Sequence, residues 1–81
     1  MNSVGIIGFG RFGRVLSNIL KKGFKIKAYD PNPIIEFPGV EFVGQKTILK
    51  EQVIFIAVPI SIFESVIRSI TPNLNSGTTI I

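Results

Sequence analysis

Gly8-Phe9-Gly10-Arg11-Phe12-Gly13 follows a short apolar run, Val4 to Ile7, and leads into a helix-periodic run that begins at Phe12. The glycines keep the spacing G-x-G-x-x-G, and each has its own physical task. Gly8 lets the chain leave a strand with backbone angles that a side chain would forbid. Gly10 lets the backbone come close to a diphosphate, and Gly13, one turn into the helix, removes the side chain that would hold helix and sheet apart. The free N–H groups and positive dipole end of that helix then face the anion. Asp30 ends the next apolar segment about 20 residues on, the distance at which a carboxylate accepts hydrogen bonds from the adenosine ribose of a bound dinucleotide. Gly8, Phe9, Gly10, Arg11, Phe12, Gly13 and Asp30 are therefore candidate cofactor contacts. Plainer readings stand beside these: glycines kept for strand–helix packing, Asp30 as a turn residue before Pro31, and Arg11 as a solvated first-turn cation.

Outward from this stretch, strand and helix signals alternate. Val4 to Ile7 suits a central strand buried on both faces. Phe12, Val15, Leu16, Ile19 and Leu20 recur at three- and four-residue spacing, predicting an amphipathic helix that Gly23 ends in a left-handed conformation. Phe24 to Tyr29 alternates as a second strand, and Asp30-Pro31-Asn32-Pro33 reads as a turn. From Ile34 to Gly44 the pattern is ambiguous, with a short outer strand at Val40 to Val43 and a helical turn at Thr47 to Glu51. Val53 to Val58 is another central strand, stopped by Pro59. Ser61 and Glu64 have capping-box spacing, predicting a helix from Ile62 whose buried stripe is Ile62, Phe63, Val66, Ile67 and Ile70. Thr78 to Ile81 begins a fifth strand. The succession predicts an α/β fold of Rossmann type, a parallel sheet ordered 3-2-1-4-5 with helices on both faces.

In such sheets ligands bind beyond the strand ends where the strand order reverses, here between the first and fourth strands. That edge gathers the glycine loop, Asp30 and the pair Val58-Pro59, which is expected to wall the nicotinamide-side ribose. The charge of Asp30 would repel the extra phosphate of NADP, so NAD is the expected cofactor.

Composition narrows the field further. At 81 residues and 46% hydrophobic, the chain fits one small packed domain, residues 1–81, and its end in an apolar run suggests a piece of something longer. The net charge of +4 is spread out, and Lys21, Lys22, Lys25 and Lys27 bracket the end of the first helix as a solvated rim. No nucleic-acid partner is expected from that pattern. The chain has no Cys and no His, which excludes thiol chemistry, an imidazole base and a typical zinc site within these residues. Without an apolar run long enough to span a bilayer or a signal-like N-terminus, no membrane partner and a cytoplasmic location are expected.

Ser3 to Asp30 and Val53 to Ile81, notably Ala57-Val58-Pro59-Ile60-Ser61 followed by Phe63-Glu64-Ser65-Val66-Ile67, resemble the nucleotide-binding domain of prephenate and arogenate dehydrogenases. The resemblance implies oxidative decarboxylation of prephenate or arogenate in tyrosine biosynthesis, with hydride passing to NAD. It also implies that the catalytic His, the substrate-binding groups and a homodimerisation region come from later in a parent chain. These residues alone would then bind cofactor without turnover. Gly10-Arg11-Phe12-Gly13 also resembles the regulatory nucleotide-binding domains of potassium channels and transporters, a sensor rather than an enzyme, though this leaves Val58-Pro59-Ile60-Ser61 unexplained. A non-catalytic interaction module that keeps its glycines for packing is a third alternative.

Overall fold

The apolar strand runs assemble into one five-stranded parallel sheet, in the computed structural model that describes residues 2–32 and 36–81. Its strands are β1 (Ser3–Ile7), β2 (Lys25–Tyr29), β3 (Val40–Phe42), β4 (Val53–Ile56) and β5 (Thr79–Ile80). Their order is β3-β2-β1-β4-β5, so the connection after β3 jumps across β2 and β1 and the strand order reverses between β1 and β4. Helix α1 (Arg11–Leu20) joins β1 to β2, α2 (Gln45–Ile48) precedes β4, and α3 (Ile60–Ile70) runs on through a 3-10 turn, Thr71–Asn73, toward β5. The fold class and strand order read from the sequence are those observed.

Alternation along the strands divides the core in two. Val4 and Ile6 of β1, with Ile26 and Ala28 of β2, point to the face covered by α1, whose Leu16 and Leu20 pack against them. Ile7 of β1 and Ile54 of β4 point the other way, onto Ile48 of α2 and Ile70 of α3. Gly5 faces the same side as Ile7, and a Cβ there would stand 2.9 Å from Ile48 Cδ1 and 3.3 Å from Glu51 Cγ. The missing side chain is what lets the one-turn helix α2 lie so close to the sheet.

Several local expectations are corrected. Helix α1 buries Gly13 and Ser17, while Phe12, Val15 and Ile19 stay exposed, so its inner face lies about one residue around the helix from the apolar stripe. Gly23 is not left-handed: α1 ends with Lys21 in right-handed geometry, and the N–H groups of Gly23 and Phe24 both donate to Leu20 O. The capping box does not form. Helix α3 starts at Ile60 with Pro59 as its N-cap, which supplies the fixed φ that begins a turn, and Glu64 pairs instead with Arg68 one turn on. Ile62 and Phe63 are exposed rather than buried. Helix α2 sits two residues earlier than the predicted turn. Lys27 is not part of a solvated rim, because its Nζ lies 3.3 Å from a carboxylate oxygen of buried Glu51, whose other oxygen accepts from Ser3 Oγ. Of the predicted turn, Pro31 and Asn32 form a bend. Pro33, and the Ile34 at which the ambiguous stretch begins, lie outside the described residues.

Candidate functional site

The loop after β1 is held from both sides. Gly8 extends the sheet by one bond, its N–H donating to Tyr29 O at 2.8 Å, and then turns with φ +93°. A Cβ on Gly8 would stand 2.6 Å from both Ala57 O and Val58 Cγ1, so the chain here passes directly over the exit of β4. Only glycine meets both demands, the positive φ and the contact. Phe9 then turns its ring down into the core, edge-on to Phe37 at 5.1 Å and to Phe42 at 5.0 Å. Such pairs contribute about 0.5–1.5 kcal/mol each beyond their buried area and pin the loop to the sheet. Phe9 therefore reaches the cleft with its backbone alone, and its side chain is a structural anchor.

Gly10 is the N-cap of α1, and Gly13 packs its Cα on the loop itself, since a Cβ there would lie 2.5 Å from Gly8 O. The first α1 hydrogen bond is Arg14 N–H to Gly10 O, which leaves the N–H groups of Arg11, Phe12 and Gly13 ahead of it. No described side chain caps them, and no acidic residue sits in the first turn. At Gly10 the situation differs from Gly8 and Gly13: its φ is an ordinary −83° and a Cβ would meet nothing within 4 Å. Apart from the mild preference of an N-cap for glycine, folding gives no reason for one there, whereas an occupant of the space beside the helix end does.

Asp30 closes the site from β2. Its Oδ2 accepts from Phe9 N–H at 2.6 Å and its Oδ1 from Asn32 N–H at 2.8 Å, so both the turn role and the placement beside the glycine loop are realised together. Among the described residues it has no ion-pair partner. From β4, Ala57 N–H donates to Ile7 O, and Val58 and Pro59 then lead into the uncapped N-terminus of α3. Two helix N-termini thus flank one edge of the sheet, a field that favours anions.

These parts line a single cleft of about 850 Å³, a volume suited to a dinucleotide-sized ligand. It brings together Gly8, Phe9, Gly10, Arg11, Phe12, Asp30, Val58 and Pro59, while Gly13 lies behind the loop. The cleft also extends along the sheet to Ile56, and to Ile62, Val66 and Ser69 of α3, with Tyr29 and Gln45 opposite. Sequence reasoning missed this apolar extension because it assigned Ile62 to the core. The signal was present: Ile62 and Val66 are four apart on the helix that follows the strand beside the glycine loop, and so share one helical face. No group of His, Cys, Asp or Glu among the described residues could hold a metal ion, and none of their helices is long and apolar enough to cross a membrane.

Comparison with known proteins agrees with this geometry. The family model for "NADP oxidoreductase coenzyme F420-dependent" matches residues 3–81. Among solved structures, a D-2-hydroxyisocaproate dehydrogenase superposes with a TM-score of 0.68 at 33% sequence identity over 74% of this chain. The match covers 19% of that dehydrogenase, so the chain spans about a fifth of its length. No curated protein matches this sequence significantly.

Proposed function

The chain belongs to the NADP oxidoreductase, coenzyme F420-dependent family, and from that premise we propose that it is the cofactor-binding part of a dehydrogenase that takes NAD in preference to NADP. The observation that carries the proposal is Gly10. No contact and no positive φ requires a glycine at this N-cap, yet the space it leaves lies in the cleft beside the free N–H groups of α1. A diphosphate fits that cradle by charge and by hydrogen-bonding capacity. Arg11 and Phe12, which line the cleft, would hold phosphate oxygens through their N–H groups, with the Arg11 side chain at the exposed rim. Asp30 retains lone pairs for ribose hydroxyls after accepting its two N–H groups. Ile62 and Val66 offer the adjoining base an apolar wall. The family description names NADP, but an unpaired carboxylate beside the ribose position disfavours a phosphate there. When bound, the nicotinamide ring supplies the hydride acceptor.

The reaction follows from the resemblance of Ala57–Ser61 and Phe63–Ile67 to prephenate and arogenate dehydrogenases: oxidative decarboxylation of one of these substrates. The 81 residues contain no His, so the base of that reaction and the substrate pocket belong to a longer parent protein. The same resemblance makes a homodimer of that parent the expected assembly. Membership of an oxidoreductase family favours this reading over the channel-sensor one.

Calorimetric titration with NAD and with NADP tests the proposal, using the unmutated chain and Gly10→Val. The expected result is saturable binding with NAD preferred, abolished in Gly10→Val, whose folding stability falls by no more than about 1 kcal/mol. Equal binding by the variant would remove the glycine cradle from the site, and a preference for NADP would overturn the role given to Asp30. Prephenate-dependent reduction of NAD by the longer parent protein then tests the substrate.

A further inference from the structure

Asp30 faces the cleft, yet both hydrogen bonds its carboxylate makes among the described residues go to backbone N–H groups, one of them 21 residues away in the glycine loop. Building on the dinucleotide reading above, we infer that Asp30 is a positioning residue for the phosphate-binding loop, and that its substitution weakens the grip on a diphosphate even when no ribose is present. Consecutive loop N–H groups are tied to the last residue of β2 and the one that follows it, Gly8 to Tyr29 O and Phe9 to Asp30 Oδ2. The bond from Asn32 N–H to Oδ1 fixes the side chain, so that Oδ2 is presented to the loop. Between these anchors lies Gly8, whose φ of +93° leaves the following peptide easy to rotate unless something holds it. The Phe9 ring is clamped by Phe37 and Phe42, but a clamped ring does not fix the plane of the Gly8–Phe9 peptide. The carboxylate does. Gly10 and the first N–H groups of α1 follow directly, so that peptide sets where they point.

The chemistry of the side chain makes this separable from ribose binding. A carboxylate accepts both N–H groups, whereas an amide accepts one and turns its own NH₂ toward the other. Asp30→Asn therefore breaks the clamp while changing the volume little. It also removes a negative charge beside an anion site, which by charge alone would tighten diphosphate binding. The two accounts thus predict opposite signs.

Inorganic pyrophosphate, which has no ribose, is titrated alongside NAD into the full chain and into Asp30→Asn. A positioning role predicts that both ligands bind about tenfold more weakly to the variant, the scale of one charge-assisted hydrogen bond. Unchanged or tighter pyrophosphate binding with weakened NAD would overturn the inference and leave Asp30 as a ribose contact only. If the unmutated chain binds neither ligand, the dinucleotide reading fails, and the positioning bond is tested by itself in the free protein. There, NMR should show a scalar coupling between the Phe9 nitrogen and the Asp30 carboxylate carbon, and its absence would overturn the inference. The same measurement decides the matter if Asp30→Asn does not fold.

Discussion

Two carboxylates stand at opposite ends of the same pair of strands, and the kinds of partner they have differ. Glu51, at the amino edge of the sheet, is buried, with Ser3 Oγ on one oxygen and Lys27 Nζ on the other. Asp30, at the carboxyl edge, is half-buried and is held by the N–H groups of Phe9 and Asn32. Glu51 is paired and enclosed by its own fold, so it has little left to offer a ligand. Asp30 has no ion-pair partner among the described residues and opens onto a cleft. A parallel sheet concentrates helix N-termini at its carboxyl edge, where free N–H groups seek an anion. An acidic side chain there is held by backbone donors, whereas at the other edge it needs a cation to be buried. Burial and partner type together separate the structural acid from the ligand-facing one.

The contrast is broken most severely at the turn that frames the carboxyl edge. Gly8→Ala must accept a positive φ and place a Cβ against the Ala57 carbonyl, neither of which a small side-chain motion relieves. A loss of more than about 3 kcal/mol in denaturant unfolding is expected. A loss under about 1 kcal/mol would show that the loop can back away from β4, and that the cleft is not framed by this contact.

At the amino edge the expected effect is smaller and confined to stability. Glu51→Ala leaves Lys27 without its partner and Ser3 without its acceptor, for a loss of about 2–3 kcal/mol, discounted because Lys27 is still 28% exposed. Lys27→Met, which leaves the buried Glu51 without its cation, should cost at least as much, about 3 kcal/mol, and a double-mutant cycle of the two should show clear coupling. NAD affinity should stay within about twofold of the unmutated chain. A tenfold change in affinity would mean that the two edges communicate through β2, and the division between them would fail.

The carboxyl edge was the legible one, and the reason is physical. Its parts are backbone features, so the sequence marks them with glycine spacing, a strand before, a helix after and an acid at the end of the next strand. The sheet order follows from alternating strand and helix signals, because right-handed crossovers leave few ways to connect them. The amino edge and the crossover near α2 depend on contacts between distant residues: Gly5 making room for Ile48, and Ser3 bonded to a residue 48 positions away. No local pattern encodes these. The Ser61–Glu64 spacing misled for a related reason, since Pro59 could start the helix two residues earlier and Glu64 found Arg68 on the exposed face. Helix α1 shows a further limit. Periodicity finds an apolar stripe, but Gly13 and Ser17 are small enough to let the helix approach the sheet on the side beside it, so Phe12 and Ile19 are left facing outward.

The finest test concerns Asp30 itself, where the two carboxylates should part in opposite directions. Asp30→Asn removes one good acceptor from Phe9 N–H, but the site is half-exposed and opens onto a cleft, so water can replace it at modest cost. The Asn32 bond survives through the amide oxygen, and no cation among the described residues is left unpaired. A stability loss of about 1 kcal/mol or less is therefore expected in a thermal melt, smaller than that of Glu51→Ala, even though the same change should weaken NAD binding about tenfold. Glu51→Ala should show the reverse ranking. If Asp30→Asn destabilised the chain as much as Glu51→Ala, Asp30 would be a second structural acid. Its place in the cleft would then follow from the turn it holds rather than from a ligand it meets.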